Sequence, residues 1–335
     1  MRIVTREQAI AYRLRVNNLV DRLPTGSYEQ AAYAGLQDTG PRDALLGLHA
    51  RMAGCTPGDW EHPALLQTYS PRAAVYVLPA RDFGVFTLGR LPLDPTAVRR
   101  INALADRVCK TLADRQSRNA AGSSGGGDGG GGGVRGAGVE GLRAACATGR
   151  IAVRWDTTSL YAREVPRPAL DVHEARLELC RRHIEYFGPT TPKTYAWWSG
   201  LSPADARAVW DQLASELVEV DFDGVPAWVL QTAEHNLHTA PPPRGVRLLV
   251  SSDLRLFGRD RDARFIAPGL RQLIPTADWF HPHGLLIDGD LVGAWGRKSG
   301  HVTVVLAKPL TPAQHTALEV EVASLPTRNP RLSVQ

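Results

Sequence analysis

The sequence predicts an α+β protein with three tandem winged-helix domains followed by a small C-terminal β-rich domain. The first observation is a run of three helical patterns and one alternating hairpin within residues 170–231. The second is that weaker versions of the same order precede it, and the third is that short alternating segments dominate after residue 244. Helical and alternating periodicities are the primary sequence signals for helices and strands, so their order outlines the domains.

The first winged helix is assigned to residues 1–72. Thr5 and Gln8 have the spacing of a capping box, which indicates the start of a helix. The stretches SYEQAAYAGL and PRDALLGLHARM supply two further helical patterns. A Gln-Asp-Thr-Gly-Pro break at residues 37–41 separates them.

The second winged helix is assigned to residues 73–166, with a flexible Gly-rich insertion at residues 119–138. VRRINALADRVCKTL has an amphipathic helical pattern, VEGLRAACATG is expected to be the recognition-type helix, and RIAVRWDTTSLYAREV is expected to be the wing. The segment from Ser123 to Gly138 is expected to form neither helix nor strand, because it has almost nothing to bury. We interpret it as a spacer. An arm that tracks nucleic acid is the alternative, but Arg135 is its one positive charge.

The third winged helix, residues 167–240, has the clearest signals. Asp171 is expected to cap its first helix, Thr191-Pro192 begins a second, and Ser202-Pro203 begins a third. LVEVDF and VPAWVL then alternate around an Asp-Gly pair, which is a strong hairpin signal. Because this wing is acidic, we expect it to be structural rather than to contact DNA.

The last domain, residues 244–325, is expected to be rich in antiparallel strands. RLLVSSDLRLFG, HGLLIDGDLVGAWGR and HVTVVLA alternate between turn residues, and the helical pattern TPAQHTALEVEVAS follows them.

Charge and composition favour a polyanionic partner. The formal charge is +5 and the isoelectric point is about 9.2, with nearly all the positive charge on arginine. Arginine makes bidentate bonds to phosphate, which suits nucleic acid, although a coding bias that replaces lysine by arginine would give the same composition. We expect double-stranded DNA as the partner.

Cysteine usage and hydropathy exclude several other classes. The four cysteines, Cys55, Cys109, Cys146 and Cys180, form no CxxC pair, so we expect buried free thiols and no structural metal. We expect no organic cofactor either. No apolar run approaches the roughly 18 residues that a membrane span requires. The N-terminus lacks the pattern of a secretory signal, so the sequence predicts a cytoplasmic protein without a membrane partner.

One corner of the first domain carries three polar side chains in a row. Gln37, Asp38 and Thr39 interrupt the stretch AGLQDTGPRDALLGLHARM between two helical patterns. Such side chains can cap a helix end, or they can hold a water molecule against a substrate. Thr39 is also placed to cap a helix that opens at Pro41. The pattern leaves these alternatives open.

Five stretches, taken in order, resemble a known family. They are GLQDTGPRDALLGLHAR, SPRAAVYVLPARDF, GPTTPKTYAWWSGLSPADAR, LLVSSDLRLFGRDR and GLLIDGDLVGAWGR. Together they are similar to the AlkZ-like winged-helix DNA glycosylases, over nearly the whole chain outside the Gly-rich insertion. The resemblance implies a bacterial, nucleoid-associated enzyme that excises alkylated purines, including bulky adducts and, in some members, interstrand crosslinks.

The resemblance also implies an active site at the Gln37 corner. In the family, a Gln-x-Gln or Gln-x-Asp motif places a water at C1′ of the damaged nucleotide, and Gln37 matches its first residue. Thr39 stands where the second Gln or Asp is expected, so Asp38 would have to supply any carboxylate. Tyr76 replaces the histidine of the family's Arg-x-x-x-His pattern, in which Arg72 matches the arginine.

Nine residues are candidates for contacting DNA. They are His49, Arg51, Arg72, Tyr76, Arg154, Arg163, Arg261, Trp295 and Arg297. For each the structural alternative is a packed or solvated side chain; a histidine on a helix is commonly hydrogen-bonded in place, and a tryptophan on a strand commonly lies in the core.

The function expected from these features is that of a monomeric, monofunctional DNA glycosylase acting on alkylated or adducted purines such as N7-modified guanine. No lysine lies near the motif to form a Schiff base, so lyase activity is not expected. The first alternative is a winged-helix DNA-binding protein without chemistry, either a regulator or a lesion-binding protein. The second is a protein-interaction module.

Overall fold

The computed structural model describes residues 2–40, 42–122, 134–135, 141–156, 158–258, 283–298 and 300–335. It combines helices with largely antiparallel sheets, which confirms the predicted α+β class. Across these ranges, no helix combines the length and the apolar character that crossing a membrane demands.

The first segment begins with a capped helix and ends in a hairpin. The Thr5 hydroxyl and the Gln8 side chain form the predicted capping box. The elements in order are β1 (Arg2–Val4), α1 (Arg6–Val16), α2 (Tyr28–Ala31), β2 (Leu36–Gln37), α3 (Asp43–Arg51), β3 (Leu65–Tyr69) and β4 (Val75–Pro79). The domain boundary expected at residues 72/73 lies inside the turn between β3 and β4, so this hairpin follows directly on the first three helices.

The second segment repeats this order of helices and hairpin. Its elements are α4 (Phe83–Leu88), α5 (Pro95–Gly122), β5 (Val134–Arg135), α6 (Leu142–Ala145), β6 (Ile151–Trp155) and β7 (Leu160–Glu164). The Gly-rich insertion differs from its prediction, because α5 extends to Gly122 and Val134–Arg135 pairs with β7. The remaining residues of the insertion, 123–133 and 136–140, lie outside the described residues.

The third segment follows its predicted signals closely. Its elements are α7 (Val172–Phe187), α8 (Pro192–Ser199), α9 (Pro203–Gln212), β8 (Leu217–Phe222) and β9 (Val225–Leu230). Asp171, Thr191 and Ser202 each accept a backbone N–H at the start of a helix. Asp223 and Gly224 both have positive φ angles, 58° and 74°, as the two-residue hairpin turn requires. Strand β1 pairs with β8 in parallel, so the N-terminus joins this third segment.

The C-terminal part is a five-stranded sheet with one long helix. Its elements are α10 (Glu234–Thr239), β10 (Val246–Leu249), a 3-10 helix (Asp253–Phe257), β11 (His283–Ile287), β12 (Asp290–Lys298), β13 (His301–Leu306), α11 (Pro312–Ala323) and β14 (Arg331–Val334). The strand order is β10-β11-β12-β13-β14, and Leu318 and Val322 of α11 pack into the core of the sheet.

The segments are joined by shared sheets and by buried polar contacts. A six-stranded sheet, β2-β4-β3-β6-β7-β5, crosses from the first segment into the second. Leu46 of α3 belongs to the core of the C-terminal sheet. Arg51 of α3 pairs with Asp253, so the 3-10 helix is held beside the end of β2. This junction is where Gln37 lies.

Candidate active site

The Gln37 corner is fixed by backbone pairing with β4. Gln37 lies opposite Tyr76 in the antiparallel register of β2 and β4. The next residue, Asp38, donates its backbone N–H to the carbonyl of Val75 at 2.8 Å. The chain therefore leaves the sheet at a defined point, which sets the direction of the three polar side chains.

The side-chain amide of Gln37 is held by three neighbours. Its Nε2 donates to Thr39 Oγ1 at 2.6 Å. Its Oε1 accepts from a guanidinium N–H of Arg255 and, at 3.4 Å, from the hydroxyl of Tyr76. These contacts use both lone pairs of the amide oxygen, so the second N–H of Nε2 and the exposed Thr39 hydroxyl are the groups that remain to bind water.

The structure corrects the expectation that Asp38 is a catalytic carboxylate. Its side chain is fully buried and accepts the backbone N–H of Ala44 at 3.0 Å and Gln67 Nε2 at 3.4 Å. Asp38 therefore caps α3 and does not face solvent. Burial raises the pKa of Asp38 to about 6, and the Ala44 N–H and the charge of Arg42 offset part of this effect. Thr39 does not cap this helix, which begins at Asp43.

Three of the predicted DNA contacts are buried, so those predictions are wrong for this conformation. His49 binds Ser324 Oγ through Nε2 at 2.9 Å, and burial lowers the pKa of its imidazole to about 3. Arg51 makes two bonds to Asp253, of 2.8 and 2.9 Å. Trp295 donates its indole N–H to the carbonyl of Leu249 at 3.1 Å. Each is less than 5% exposed and serves packing, as the structural alternatives anticipated.

Arg72 and Tyr76 border the Gln37 corner in different ways. Arg72 is exposed, and its guanidinium lies 4.3 Å from the centre of the Trp197 ring. Tyr76 is only 2% exposed, so its predicted contact with DNA is also wrong, and its hydroxyl instead touches the Gln37 amide. The residue at the family's histidine position therefore orients the glutamine.

The remaining arginine candidates lie on two other elements. Arg154 and Arg163 are on the β6–β7 hairpin; Arg154 is paired with Glu61 and, at 3.5 Å, with Asp156, whereas Arg163 is exposed. Arg297 is exposed on β12. Arg261 lies outside the described residues.

Arg255, which is not among the predicted site residues, contacts Gln37 from 218 residues away. Its guanidinium also lies 5.7 Å from the centre of the Trp197 ring. Trp197 therefore contacts two arginines, Arg72 and Arg255. Arg255 and Trp197 stand within the quoted stretches LLVSSDLRLFGRDR and TYAWW. No local pattern distinguishes them there, because their proximity arises only when the C-terminal 3-10 helix meets α8.

A cleft of about 350 Å³ opens beside Gln37, and Tyr76, Trp198 and Arg255 are among its walls. Among the described residues lining it, the one acidic side chain is Asp253, which is bound to Arg51. The described residues of the corner thus offer amide and hydroxyl groups and a cation, and no accessible carboxylate is among them. Within the described ranges, no cluster of three His, Cys, Asp or Glu side chains is arranged to hold a metal.

The comparisons with known proteins agree with the resemblance. An interstrand DNA cross-link repair glycosylase of Streptomyces sahachiroi is 32% identical over 127 residues, which cover 36% of this chain and 34% of that protein. The chain therefore matches about a third of that relative's length. The solved structure of the Streptomyces sahachiroi DNA glycosylase AlkZ aligns over 100% of both chains with a TM-score of 0.73 and 18% identity, which shows a shared fold. The family model of the AlkZ-like DNA glycosylases matches residues 31–327, and the chain belongs to that family.

Proposed function

We propose that this protein is a monofunctional DNA glycosylase that hydrolyses the N-glycosidic bond of alkylated or adducted purines, such as N7-modified guanine, in duplex DNA. The observation that carries the proposal is the Gln37 amide, which is held in one orientation at the wall of a cleft by Thr39, Tyr76 and Arg255. A fixed polar group costs no reorganisation during the reaction, which is the property expected of a group that positions a water.

A leaving base that is already cationic needs little catalytic assistance from the protein. N7-alkylated guanine departs without a strong general acid, leaving a sugar with oxocarbenium character that a water attacks at C1′. The free N–H of Gln37 and the Thr39 hydroxyl hold that water in the proposal. Neither group acts as a base near neutral pH, so the proton is lost to solvent after the bond has largely broken.

Duplex DNA is the proposed partner, bound by a monomer. We interpret the three runs of helices and a hairpin as tandem winged helices, with the five-stranded sheet as the C-terminal domain. A winged helix contacts the groove with one helix and the backbone with its wing, and phosphate contacts supply most of the affinity. Arg72 beside the site and the exposed Arg163 on the β6–β7 hairpin are proposed phosphate contacts, and the exposed Arg297 on β12 is a third.

Base release from a duplex carrying 7-methylguanine tests the proposal. Gln37→Ala should lower the single-turnover rate by about 10²-fold, the usual effect of removing one preorganised polar group. Thr39→Ala should lower it less, because the second N–H of Gln37 still binds the water. Gln212→Ala is the matched control, since Gln212 is exposed on α9 and donates to the Ala208 carbonyl of its own helix. Equal rates for wild type and Gln37→Ala would refute the role of Gln37.

A DNA-binding protein without chemistry is the second candidate. It is favoured by the absence of a charged residue at position 39 and by the burial of Asp38. It predicts tight, salt-dependent binding of duplex with no base release from any N7-modified substrate. A protein-interaction module, in contrast, would show no salt-dependent binding of DNA at all.

A further inference from the structure

A ring of buried polar contacts ties the Gln37 corner to the β6–β7 hairpin. Its two ends are Asp38 at the corner and Trp155 at the end of β6. Gln67 donates from Nε2 to Asp38 at 3.4 Å and accepts the backbone N–H of Trp155 at 2.7 Å. Arg42 Nη1 donates to the carbonyl of Trp155 at 2.9 Å and lies 3.9 Å from Asp38 Oδ2. Both backbone groups of Trp155 are therefore bound by side chains that also reach Asp38.

The members of this ring have little freedom to move. Asp38 and Gln67 are buried, and the side chain of Arg42 is 19% exposed. The guanidinium of Arg42 lies 3.5 Å from the centre of the Trp60 ring, and this stacking fixes its plane. The backbone N–H of Ala44, the Gln67 amide and Arg42 all present donors to Asp38. Buried networks with satisfied partners are rigid, so the ring holds its two ends at a fixed separation.

The backbone of Arg42 is in the left-handed region, with φ 67° and ψ 27°. This conformation is unfavourable for a residue that has a Cβ atom, whereas glycine adopts it freely. Such strain persists only where the surrounding structure holds the residue, and it clusters at functional sites. What arginine adds over glycine at this position is its side chain, which reaches Trp60, Trp155 and Asp38.

The ring lengthens a short backbone junction between the first and second segments. Among the described residues, the ladder between β3 and β6 registers one pair, Gln67 with Val153. The ring extends this junction to Trp155. Strand β6 then pairs with β7, which carries the exposed Arg163, one of the proposed phosphate contacts. A duplex bound through this hairpin is therefore held at a fixed place relative to the corner.

The other end of the ring determines where the polar side chains of the corner point. Asp38 stands between Gln37 and Thr39 in the chain, and its backbone N–H is bound to the carbonyl of Val75. The 2.6 Å bond from Gln37 Nε2 to Thr39 Oγ1 joins residues on either side of Asp38, so it depends on the turn that Asp38 makes. Fixing the Asp38 side chain therefore fixes both neighbours.

We propose that Arg42 and Gln67 are positioning residues that hold the Gln37 corner in register with the β6–β7 hairpin, so that a duplex bound by the hairpin presents its damaged nucleotide to Gln37. The inference rests on the proposed function and adds to it the link between DNA binding and base release. Both residues act through Asp38, and neither touches the reacting atoms.

Opening the ring should slow base release without weakening DNA binding. Arg42→Gly removes the side chain and suits the left-handed backbone, and Gln67→Met removes both amide bonds at similar length. Each should lower the single-turnover release of 7-methylguanine by about 10-fold to 100-fold, the size expected when a reacting group is misplaced. The Kd for the duplex should stay unchanged. Asn329→Gly, at an exposed residue with φ 44°, is the matched control and should alter neither quantity.

Combined variants show whether the effect passes through the corner. Arg42→Gly/Gln67→Met should lose no more rate than the larger single loss, because either change opens the same ring. In the background Gln37→Ala/Thr39→Ala, Arg42→Gly should have no further effect, since the groups that it positions are gone. An undiminished effect in that background would overturn the proposal, and so would a loss of affinity as large as the loss of rate.

The side-chain amide signal of Gln37 in nuclear magnetic resonance separates failure of this inference from failure of the proposed function. Selective isotope labelling of glutamine makes the signal visible, and its loss in Gln37→Ala assigns it. Arg42→Gly and Gln67→Met should shift this signal, whereas Asn329→Gly should not. If the wild type releases no base, the glycosylase proposal fails and this signal decides the ring. A signal unmoved in both ring variants would overturn the inference whether or not the protein releases bases.

Discussion

The buried carboxyl of Asp38 makes a specific prediction about stability and pH. Its pKa of about 6 in the folded protein lies above the value of 3.8 expected for an exposed aspartate. A group whose folded pKa is raised stabilises the fold fully below its unfolded pKa, and this contribution is lost as pH rises through the folded pKa. Between pH 4 and pH 8, ionisation of Asp38 should therefore cost about 2.5 kcal/mol of unfolding free energy.

Comparison with Asp38→Asn isolates this effect. The amide cannot ionise, so the variant should gain about 2.5 kcal/mol on the wild type between pH 4 and pH 8. Any constant penalty from the altered bonds to Ala44 and Gln67 cancels because the same variant is compared at two pH values. The contributions of all other titrating groups cancel because they are the same in the variant and the wild type. The measurement is the unfolding free energy from urea titrations at half-unit pH steps.

The exposed helix cap Asp171 provides a control of opposite sign. The N–H groups of Glu174 and His173 lower the pKa of Asp171, so its contribution is present above its unfolded pKa and is lost as pH falls. Asp171→Asn should therefore lose stability relative to wild type as pH rises. Parallel profiles for wild type and Asp38→Asn would refute the reasoning, because they would mean that Asp38 is ionised and solvated in the folded protein.

Two further predictions concern the arginines. Arg51→Met should lower the unfolding free energy by about 3–5 kcal/mol in urea titrations, because it leaves Asp253 buried without its partner, and Arg51→Met/Asp253→Leu should recover most of the loss; a similar loss in the double variant would contradict this explanation. Arg163→Ala should reduce the slope of log affinity for duplex against log salt concentration by about 0.9. Arg154→Ala should reduce this slope less, because Glu61 already pairs with that guanidinium. If both variants keep the wild-type slope in a fluorescence-anisotropy titration, neither arginine contacts phosphate.

Local signals explain how much of the fold could be predicted. The caps at Thr5, Asp171, Thr191 and Ser202 depend on residues within one helical turn, and the structure has each of them. The hairpin turn at residues 223–224 is equally local. The hairpin of the first segment was missed, because its two strands are buried nearly throughout and do not alternate between polar and apolar residues.

The parts that sequence could not predict depend on contacts between distant residues. Helix α3 carries His49 and Arg51 at positions that local periodicity cannot distinguish from an exposed polar face. The C-terminal part packs on that face, so Ser324 at the end of α11 and Asp253 of the 3-10 helix become their partners. Arg255 reaches Gln37 for the same reason, since it comes from the 3-10 helix that Arg51 holds in place.

The electrostatics of the Gln37 corner bear on the class of lesion in the proposed reaction. Asp38 is fully buried and Asp253 is bound to Arg51, so neither of these two described carboxyl groups is available to act as a base or to face a developing oxocarbenium ion. Arg255 adds a positive charge at the same place. Such a site would give little assistance to the release of a neutral base, which must be protonated before it can leave. In the proposed reaction the driving force comes from the charge already on the damaged purine, so the proposed substrate is a cationic N7-substituted guanine rather than uracil or another neutral base.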